Sequence, residues 1–360
     1  MVWEVHSTEK IRIKDIAEKA GVSVGTVDRV LHNRPNVSAR ARKKVESVLR
    51  EINYKPNMYA SALASNRKYT LHCLLPDHDS NAYWTEIEKG LQQAVINRND
   101  FHLSLVIHYY AQFDADSFLK KSKETLECQP DGVIIVPQDR QFTCDFCLAL
   151  TDKQIPYVFL DSNMPELPAI AYFGQDAHRS GYFAGRIFMM QASQANEIML
   201  MKLMLNGKVA SRQQAQRETG FKQYMAEKFP DCRILELPLP ADIPEDEMEK
   251  ETERFFAAHP HVRHCITFCS RAYILGEYFE KHGFTDAHLF GYDMIDRNTA
   301  CLRNGSIDFI IAQHPWKQGY SCVKALFNHL VLKKEVSRNN YMPLELLTAE
   351  NYIFYTHDEK

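Results

Sequence analysis

The chain has 360 residues, of which 45% are hydrophobic and 25% are charged, and its formal net charge is −3 at pH 7. Such a length favours two or three domains, and these fractions are ordinary for a soluble globular protein. No apolar run approaches membrane-spanning length. The start MVWEVHSTEK lacks the charged and apolar regions of a signal peptide, so we expect a cytoplasmic protein.

The charge is distributed unevenly along the chain. Residues 1–68 contain 14 Lys and Arg against 7 Asp and Glu, a net charge of +7. The remaining residues contain 29 against 39, a net charge of −10. A basic end on an acidic protein is expected of a nucleic-acid-binding module.

The stretch from Ile13 to Asn57 predicts three helices, over residues 14–20, 24–31 and 38–53. Gly21 ends the first helix, because glycine readily takes the left-handed conformation that follows a helix. Ser23 and Ser38 are predicted to cap the second and third helices, since a serine hydroxyl accepts a hydrogen bond from a free amide of the first turn. The order of these elements is that of a helix-turn-helix unit followed by a third helix.

The second helix presents small residues and then an arginine on its outer face. A helix of this kind fits the major groove of DNA, where each base pair has a distinct hydrogen-bonding pattern. The predicted base readers are therefore Val24, Gly25, Thr26 and Arg29. Ser23 is also predicted to bind DNA, and Arg40 and Lys43 of the third helix are predicted phosphate contacts. The alternative is a small three-helix bundle with a solvated basic face.

The segments DIAEKAGVS, TVDRVL, VSARARKKV and INYKPN resemble, almost position for position, the DNA-binding headpiece of the LacI/GalR family of bacterial repressors. One position departs from the family pattern, because Asp28 stands where a serine is usual. A carboxylate there would face the duplex, so it either shapes sequence preference or pairs with Arg29.

The alanine-rich segment NMYASALAS follows, over residues 57–65. Two helical turns are marginal in water without a partner. The family resemblance implies a hinge helix that folds against its mate from a second subunit and inserts a leucine into the minor groove, and Leu63 is the matching residue. An apolar wedge there would bend the duplex. The alternative is that Leu63 packs on the following domain.

From Tyr69 onward short apolar strands alternate with helical stretches, which is typical of parallel α/β sheets. Strands are predicted over residues 71–76, 102–109, 132–137, 156–161, 197–203, 232–239, 264–269 and 287–293. Helices are predicted over residues 84–98, 180–191, 212–229 and 245–259. About ten strands exceed one comfortable open sheet, so the pattern favours two βα halves.

The same family resemblance covers residues 70–355 and implies the type I periplasmic sugar-binding fold, in which three segments cross between two lobes. We therefore expect a headpiece over residues 1–56, a linker over 57–68 and a two-lobed domain over 69–360, which also forms the dimer. Lobe 1 is expected at about 69–175 and 312–342, and lobe 2 at about 176–311 and 343–360.

Ligands of open α/β sheets bind beyond the carboxyl ends of the strands, so polar and aromatic residues there are candidate ligand contacts. At positions that match the sugar-binding pattern of the family, these are Asn81, Tyr83, Trp84, Asp161, Arg217, Asp293 and Gln313. Carboxylates and amides suit vicinal hydroxyls, and aromatic rings suit the apolar face of a sugar. The alternative is that they are ordinary polar loop residues.

Ser270 and Arg271 depart from the family pattern, which usually has Asn-Asp at this place. The extra cation is predicted either to neutralise Asp293 or to meet a carboxylate or phosphate of the ligand. Both residues are therefore included among the candidate effector contacts.

Enzyme motifs are absent from the sequence: there is no GxxxxGK[ST], no GxGxxG after a strand, no GxSxG and no HExxH. Asp161 and Asp293 as a glycosidase pair explain the pattern less well than ligand binding does. The nine scattered cysteines are interpreted as reduced thiols, the Cys144–Cys147 pair as part of a helix face, and the histidines near Pro260 as a loop. We therefore predict no metal and no cofactor.

These patterns together predict a transcriptional regulator, with a repressor favoured, that binds a partly palindromic operator as a homodimer. A sugar or sugar derivative is the predicted effector, and a purine corepressor in the same architecture is the next alternative. A free sugar-binding protein that serves a transporter would need export and would have no use for the basic headpiece.

Overall fold

The computed structural model describes residues 12–31, 34–52, 59, 62–63, 65–78 and 82–355. The chain divides into two compact units, Met1–Asn66 and Arg67–Lys360. Among the described residues, no helix combines the length and the apolar character that a membrane span requires.

The first unit contains the three predicted helices: α1 (Ile13–Ala20), α2 (Val24–Leu31) and α3 (Ala39–Glu51). Gly21 closes α1 with a φ of +62°, as predicted for a glycine at this position. The amide of Thr26 donates to the Ser23 hydroxyl at 3.2 Å, so the predicted cap of α2 is present. Ser38 likewise accepts from the amide of Ala41 at 3.2 Å. These interactions satisfy amides that a helix start leaves without an intrahelical partner.

A small apolar core holds these helices together, with Ile16, Val27 and Val45 completely buried. Leu31, Leu49 and Ile52, which helical periodicity places on the inner faces, are half-buried at the rim of this core. The predicted core is therefore present, and its outer residues remain partly open to solvent.

The second unit alternates strands with helices. Its helices are α4 (Ala82–Ile96), α5 (Ala115–Glu127), α6 (Arg140–Asp152), α7 (Ala177–Gln191), α8 (Arg212–Lys228), α9 (Glu245–Ala258), α10 (Tyr273–His282), α11 (Asp296–Asn304) and α12 (Pro315–Leu330). Its strands are β1 (Tyr69–Pro76), β2 (Leu103–Tyr110), β3 (Gly132–Ile135), β4 (Tyr157–Leu160), β5 (Ala171–Gly174), β6 (Glu197–Leu205), β7 (Lys208–Val209), β8 (Arg233–Pro240), β9 (His264–Thr267), β10 (His288–Tyr292), β11 (Phe309–Ala312), β12 (Asn339–Tyr341) and β13 (Glu345–Leu347). Short 3₁₀ turns lie at Asn99–Phe101 and Tyr352–Phe354.

These strands form two sheets, which confirms the predicted α/β fold with parallel sheets. The six-stranded sheet of lobe 1 has the order β12-β5-β4-β3-β1-β2, and all of its pairs are parallel. The seven-stranded sheet of lobe 2 has the order β13-β11-β10-β9-β6-β7, with β8 also paired to β6. In this second sheet β7 and β13 run antiparallel to their neighbours.

The apolar strand segments are explained by burial on both sheet faces. Every residue of β3 and β4 is buried, as expected for parallel strands covered by helices on both sides. The eight strands predicted from the sequence are present, and their ends shift by at most two residues. Strands β5, β7, β11, β12 and β13, of two to four residues each, were not predicted.

The chain crosses between the lobes at three places: after β5, after β11 and between β12 and β13. Gln175, in the first crossing, donates through Nε2 to the carbonyl oxygens of Ala312 and Pro343, each at 2.9 Å. Ala312 ends β11 directly before the second crossing, and Pro343 lies in the third, so a single buried amide joins all three segments at the junction of the lobes.

Candidate ligand site and nucleic-acid interface

A cavity of about 100 Å³ lies between the lobes at the carboxyl ends of the strands. This cavity is lined by all the predicted effector residues that lie in the described part of the chain. They are Tyr83, Trp84, Asp161, Arg217, Ser270, Arg271, Asp293 and Gln313. Asn81, the remaining predicted effector residue, lies outside the described residues.

Asp161 follows β4 directly and is buried at the lobe 1 side of the cavity. The hydroxyl of Tyr83 donates to Asp161 Oδ1. Burial raises the pKa of Asp161, and the hydrogen bond from Tyr83 and the charge of Arg217 act in the opposite direction. The carboxyl group is therefore held in place by a neighbouring side chain before any ligand binds.

Asp293 follows β10 and faces the cavity from lobe 2. Gln313 Nε2 donates to Asp293 Oδ1 at 2.6 Å. Burial raises the pKa of Asp293 to about 6, although the charge of Arg217 and the hydrogen bond from Gln313 lower it. This carboxyl group therefore changes its charge close to neutral pH.

Both aspartates have left-handed backbone conformations, with φ angles of +65° at Asp161 and +72° at Asp293. This region is uncommon for residues other than glycine, although aspartate tolerates it better than most. Residues held in such conformations are concentrated at ligand sites, where the surrounding structure fixes them. The turns after β4 and β10 thus direct two carboxylates toward one cavity.

Arg217 lies at the centre of the site, on α8, and is 2% exposed. Its Nη1 donates to the carbonyl oxygen of Phe268 at 3.1 Å, and its Nη2 donates to Gln313 Oε1. The guanidinium carbon lies 4.2 Å from the ring centre of Tyr292. Among the described residues, its Nε finds no hydrogen-bond partner. A buried donor without a partner is costly, so a ligand acceptor there would stabilise the protein.

Close helix packing places Arg217 in this position. A Cβ atom on Gly181 of α7 would lie only 1.8 Å from the carbonyl oxygen of Arg217, and one on Gly220 of α8 would lie 1.9 Å from that of His178. These contacts exclude any larger side chain at either glycine without movement of the backbone. The two glycines therefore set the distance of α8 from α7 and with it the position of the arginine.

Glutamines connect the lobes around the cavity. Gln213, from the first turn of α8 in lobe 2, donates through Nε2 to the carbonyl oxygen of Asp161 in lobe 1. Gln318 of α12 donates to the carbonyl oxygen of Gln313 at 2.8 Å and lies 3.5 Å from the hydroxyl of Tyr83. The cavity is therefore closed by direct hydrogen bonds between elements of both lobes.

Sequence reasoning missed several residues of the site. Gln112, Phe113 and Gln213 also line the cavity. Asn298 is completely buried, and its Nδ2 donates to the carbonyl oxygens of Ser270, Tyr292 and Asp293, each at 2.9 Å. The position of Gln112 directly after β2 was a usable signal for a residue at this sheet edge. For Asn298 the sequence carries no such signal, because it acts on backbone atoms five to 28 residues away.

Arg271 does not neutralise Asp293, which was one of its two predicted roles. Arg217 is the cation that lowers the pKa of Asp293. In the part of the chain that the structure describes, Arg271 forms no ion pair, and its hydrogen bond is a 3.5 Å contact from Nη1 to the carbonyl oxygen of Ala241. Trp84, the predicted stacking residue, is buried and packs edge-on against Tyr83 with ring centres 5.0 Å apart.

Metal or redox chemistry has no evident site in the described ranges, which hold no group of three or more His, Cys, Asp or Glu placed to bind a metal. Cys144 and Cys147 lie on α6, and burial raises the pKa of Cys147 to about 12. A thiol with so high a pKa does not supply the thiolate that zinc binding or disulfide exchange needs.

Most of the predicted DNA-binding residues of the helix-turn-helix unit are exposed. Val24, Gly25 and Arg29 are exposed on α2, and Arg40 and Lys43 are exposed on α3. The hydroxyls of Ser23 and Thr26 lie 2.9 Å apart, so the two side chains at the start of α2 hold each other.

Asp28 has a partner that the sequence analysis did not consider. Arg34 Nη1 lies 3.1 Å from its Oδ2, and both side chains are exposed. The carboxylate of Asp28, beside the predicted base-reading residues, therefore has a cation near it from the segment that follows α2. Leu63, in the predicted hinge, has helical backbone conformation and is 47% exposed.

Comparison with known families agrees with both halves of the structure. A family model described as "Periplasmic binding protein domain" matches residues 73–335, and one described as "Bacterial regulatory proteins, lacI family" matches residues 12–57. The chain belongs to the LacI family of bacterial regulatory proteins. LacI-family proteins are DNA-binding regulators and not enzymes, which agrees with the lack of enzyme motifs.

Relatives of known structure or name support this assignment to the LacI family. The crystal structure of a protein assigned as a LacI transcriptional regulator, from Bacteroides fragilis, is 44% identical and covers 81% of this chain and 100% of that one, with a TM-score of 0.78. Catabolite control protein A of Staphylococcus aureus is 29% identical over 47% of this chain, and the match spans 46% of that relative. A glucose-galactose binding protein from Geobacillus stearothermophilus has the same fold, with a TM-score of 0.68 at 21% identity over 79% of this chain and 99% of that one.

Proposed function

We propose that this protein is a cytoplasmic transcriptional regulator, acting as a repressor, whose affinity for an operator is controlled by a small polar effector bound between the two lobes. A sugar or sugar derivative is the proposed effector. The observation that carries the proposal is the cavity itself, where two buried carboxyl groups, a buried arginine and a glutamine meet at the junction of two lobes. The same chain carries a helix-turn-helix unit with an exposed arginine on its second helix.

The polar groups of the cavity suit a ligand with several hydroxyls. Asp161 and Asp293 accept hydrogen bonds, Arg217 donates them, and Gln313 does both. A site built from such groups rejects ligands that leave them unpaired. Tyr83 and Trp84 add apolar ring surface beside these groups, which suits the C–H faces of a sugar ring.

The small volume of the cavity supports a moving pair of lobes. Ligand sites usually measure about 300–1,000 Å³, several times the 100 Å³ found here. A ligand therefore enters only when the lobes separate, and this separation breaks the hydrogen bond from Gln213 to Asp161. A ligand that prefers one lobe arrangement shifts the population toward it, which is the link needed to control a separate DNA-binding unit.

A homodimer is proposed from the exposed edge of lobe 1. Strand β2 is an edge strand, and its Val106 and Tyr109 are exposed. Ile96, also exposed, ends α4, which packs beside β2. Open strand edges with apolar side chains favour association with another chain. Two headpieces in a dimer read a two-fold symmetric operator, which gives enough specificity for one genomic site.

The proposed DNA-binding function is tested by selecting sequences from a random double-stranded DNA library with the full-length protein. The expected product is a consensus of two inverted half-sites, and Arg29→Ala should lose the preference at one position of each half-site. Recovery of unenriched DNA after repeated rounds at moderate salt would contradict the proposal. Arg254→Ser, a change of an exposed arginine in lobe 2, serves as the matched control.

A further inference from the structure

Arg271 is a cation in the ligand cavity that forms no ion pair within the described chain, although its charge contributes, after that of Arg297, to lowering the pKa of Glu245. It is half-buried, lines the cavity and makes a single long contact, 3.5 Å, to the carbonyl oxygen of Ala241. Two other arginines of lobe 2 form close ion pairs: Arg297 lies 2.7 Å from Glu245, and Arg263 lies 2.7 Å from Asp286. The guanidinium of Arg271 is thus available to a group that enters the cavity.

The backbone around Arg271 is fixed although its guanidinium is not paired. Arg217 binds the carbonyl oxygen of Phe268 at 3.1 Å, three residues before Arg271. Asn298 binds the carbonyl oxygen of Ser270, the preceding residue, at 2.9 Å. The segment that carries Arg271 is therefore held rigidly, as expected for a side chain that binds a ligand group in a defined place.

The charges of the cavity also permit an anion. Its charged side chains are Asp161, Arg217, Arg271 and Asp293. Burial raises the pKa of both carboxyl groups and so favours their neutral forms. With both carboxyl groups ionised, the two cations balance the two carboxylates, and the lining becomes positive as the carboxyl groups take up protons at lower pH. The unpartnered Nε of Arg217 adds a second donor.

Building on the proposed effector role of the cleft, we propose that the effector is a polyhydroxylated molecule with one carboxylate or phosphate group, and that Arg271 binds this anionic group. The planar guanidinium pairs with either group through two parallel hydrogen bonds. The hydroxyls of the same ligand are bound by Asp161, Asp293 and Gln313. Arg271 thus selects the ligand class, and the other residues bind the sugar ring.

Calorimetric titration and thermal shift of the full-length protein with matched ligand pairs test this proposal. The probes are D-glucose, D-galactose and D-ribose beside D-glucuronate, D-gluconate, D-galacturonate, glucose 6-phosphate and ribose 5-phosphate, at constant ionic strength. At least one anionic probe should bind more tightly than its neutral parent. Arg271→Ser should weaken that binding by roughly ten- to a hundredfold and leave neutral sugars unaffected, as expected for the loss of a charged hydrogen bond.

Two variants make the experiment selective. Arg271→Lys should keep the preference for the anionic probe at reduced affinity, because it retains the charge and loses the paired geometry. Arg254→Ser, which removes an exposed arginine of α9, should change nothing. Binding of uronates alone would assign the anion as a carboxylate, and binding of sugar phosphates alone would assign it as a phosphate.

The proposal is overturned if no anionic probe binds better than its neutral parent, or if Arg271→Ser leaves the preference unchanged. A neutral sugar that binds the wild-type protein but not Asp293→Ala would, together with that outcome, leave the proposed function of the cleft intact. Circular dichroism of each variant confirms that the fold is retained.

Discussion

At the scale of single residues, Asp293 is a cavity group whose charge changes close to neutral pH. Its pKa is raised to about 6 by burial, so the carboxyl group is mostly ionised at pH 7 and mostly protonated at pH 5. Ligand hydroxyls that donate to it require the ionised form. Binding should therefore weaken about tenfold between pH 7 and pH 5, since one pH unit below the pKa leaves roughly a tenth of the group ionised. Calorimetric titration with a ligand of constant charge measures this change.

Asp293→Asn is the matched control, because it keeps the shape of the side chain and cannot titrate. Its ligand affinity should be lower and nearly independent of pH over the same range. Equal affinities of the wild-type protein at pH 5 and pH 7 would show that ligand binding does not use the ionised carboxylate.

In the free protein the raised pKa of Asp293 has the opposite consequence for stability. The stability that this group contributes is present at acidic pH and is lost as pH rises through about 6.

At the scale of elements, α2 and α3 are predicted to make different kinds of DNA contact. Arg29→Ala should weaken specific binding by about 1–3 kcal/mol and relax preference at one base position. Lys43→Ala should weaken binding to all sequences alike and reduce the salt dependence of binding. Both side chains are exposed, so neither change should disturb the buried core of the unit. Fluorescence anisotropy at several salt concentrations separates the two effects, and an interchange of the two results would contradict the assignment.

The hinge segment gives a second prediction at this scale. Leu63 is 47% exposed, so its apolar side chain is accessible to a partner surface. Insertion between base steps would bend the duplex. Leu63→Ala should therefore lower operator affinity and reduce the bend angle, which a gel-shift assay with circularly permuted operator fragments measures. A bend angle equal to that of the wild-type protein would show that Leu63 does not act as a wedge.

The elements also show what sequence patterns can and cannot predict. Long helices such as α8 and apolar strands such as β3 were found from the sequence, because their periodicity or continuous burial is local. Strand β12, with the sequence NNY, was missed, since its three residues form a strand only by pairing with β5, more than 160 residues away. The hydrogen bond from Gln213 to Asp161 was missed for the same reason. The strand-end position of Asp161 and Asp293 was readable, but their left-handed conformation was not.

At the scale of the whole molecule, the protein is predicted to be a dimer. Val106 is 41% exposed on the edge strand of lobe 1. Val106→Glu should place unpaired charges in the interface, and analytical ultracentrifugation at micromolar concentration should then give a monomer. Operator affinity should fall, because a single headpiece contacts only half of the site.

Leu148→Glu, a change of an exposed residue on α6, is the matched control and should remain a dimer. A monomeric wild-type protein, with and without DNA, would contradict the dimer.

The most direct test of the central claim is the operator affinity of the full-length protein with and without its effector, measured by fluorescence anisotropy. A screen of sugars, sugar acids, sugar phosphates and purines by thermal shift first identifies the effector. The wild-type protein should change its operator affinity by roughly five- to 150-fold on effector binding, in one direction or the other.

Asp293→Ala and Gln313→Ala should bind the operator normally and fail to respond, because both residues line the cavity and neither belongs to the DNA-binding unit. Gln223→Ala, on the exposed side of α8, should respond as the wild-type protein does. A normal response of both cavity variants, with the fold intact by circular dichroism, would show that the effector does not act from the cavity between the lobes.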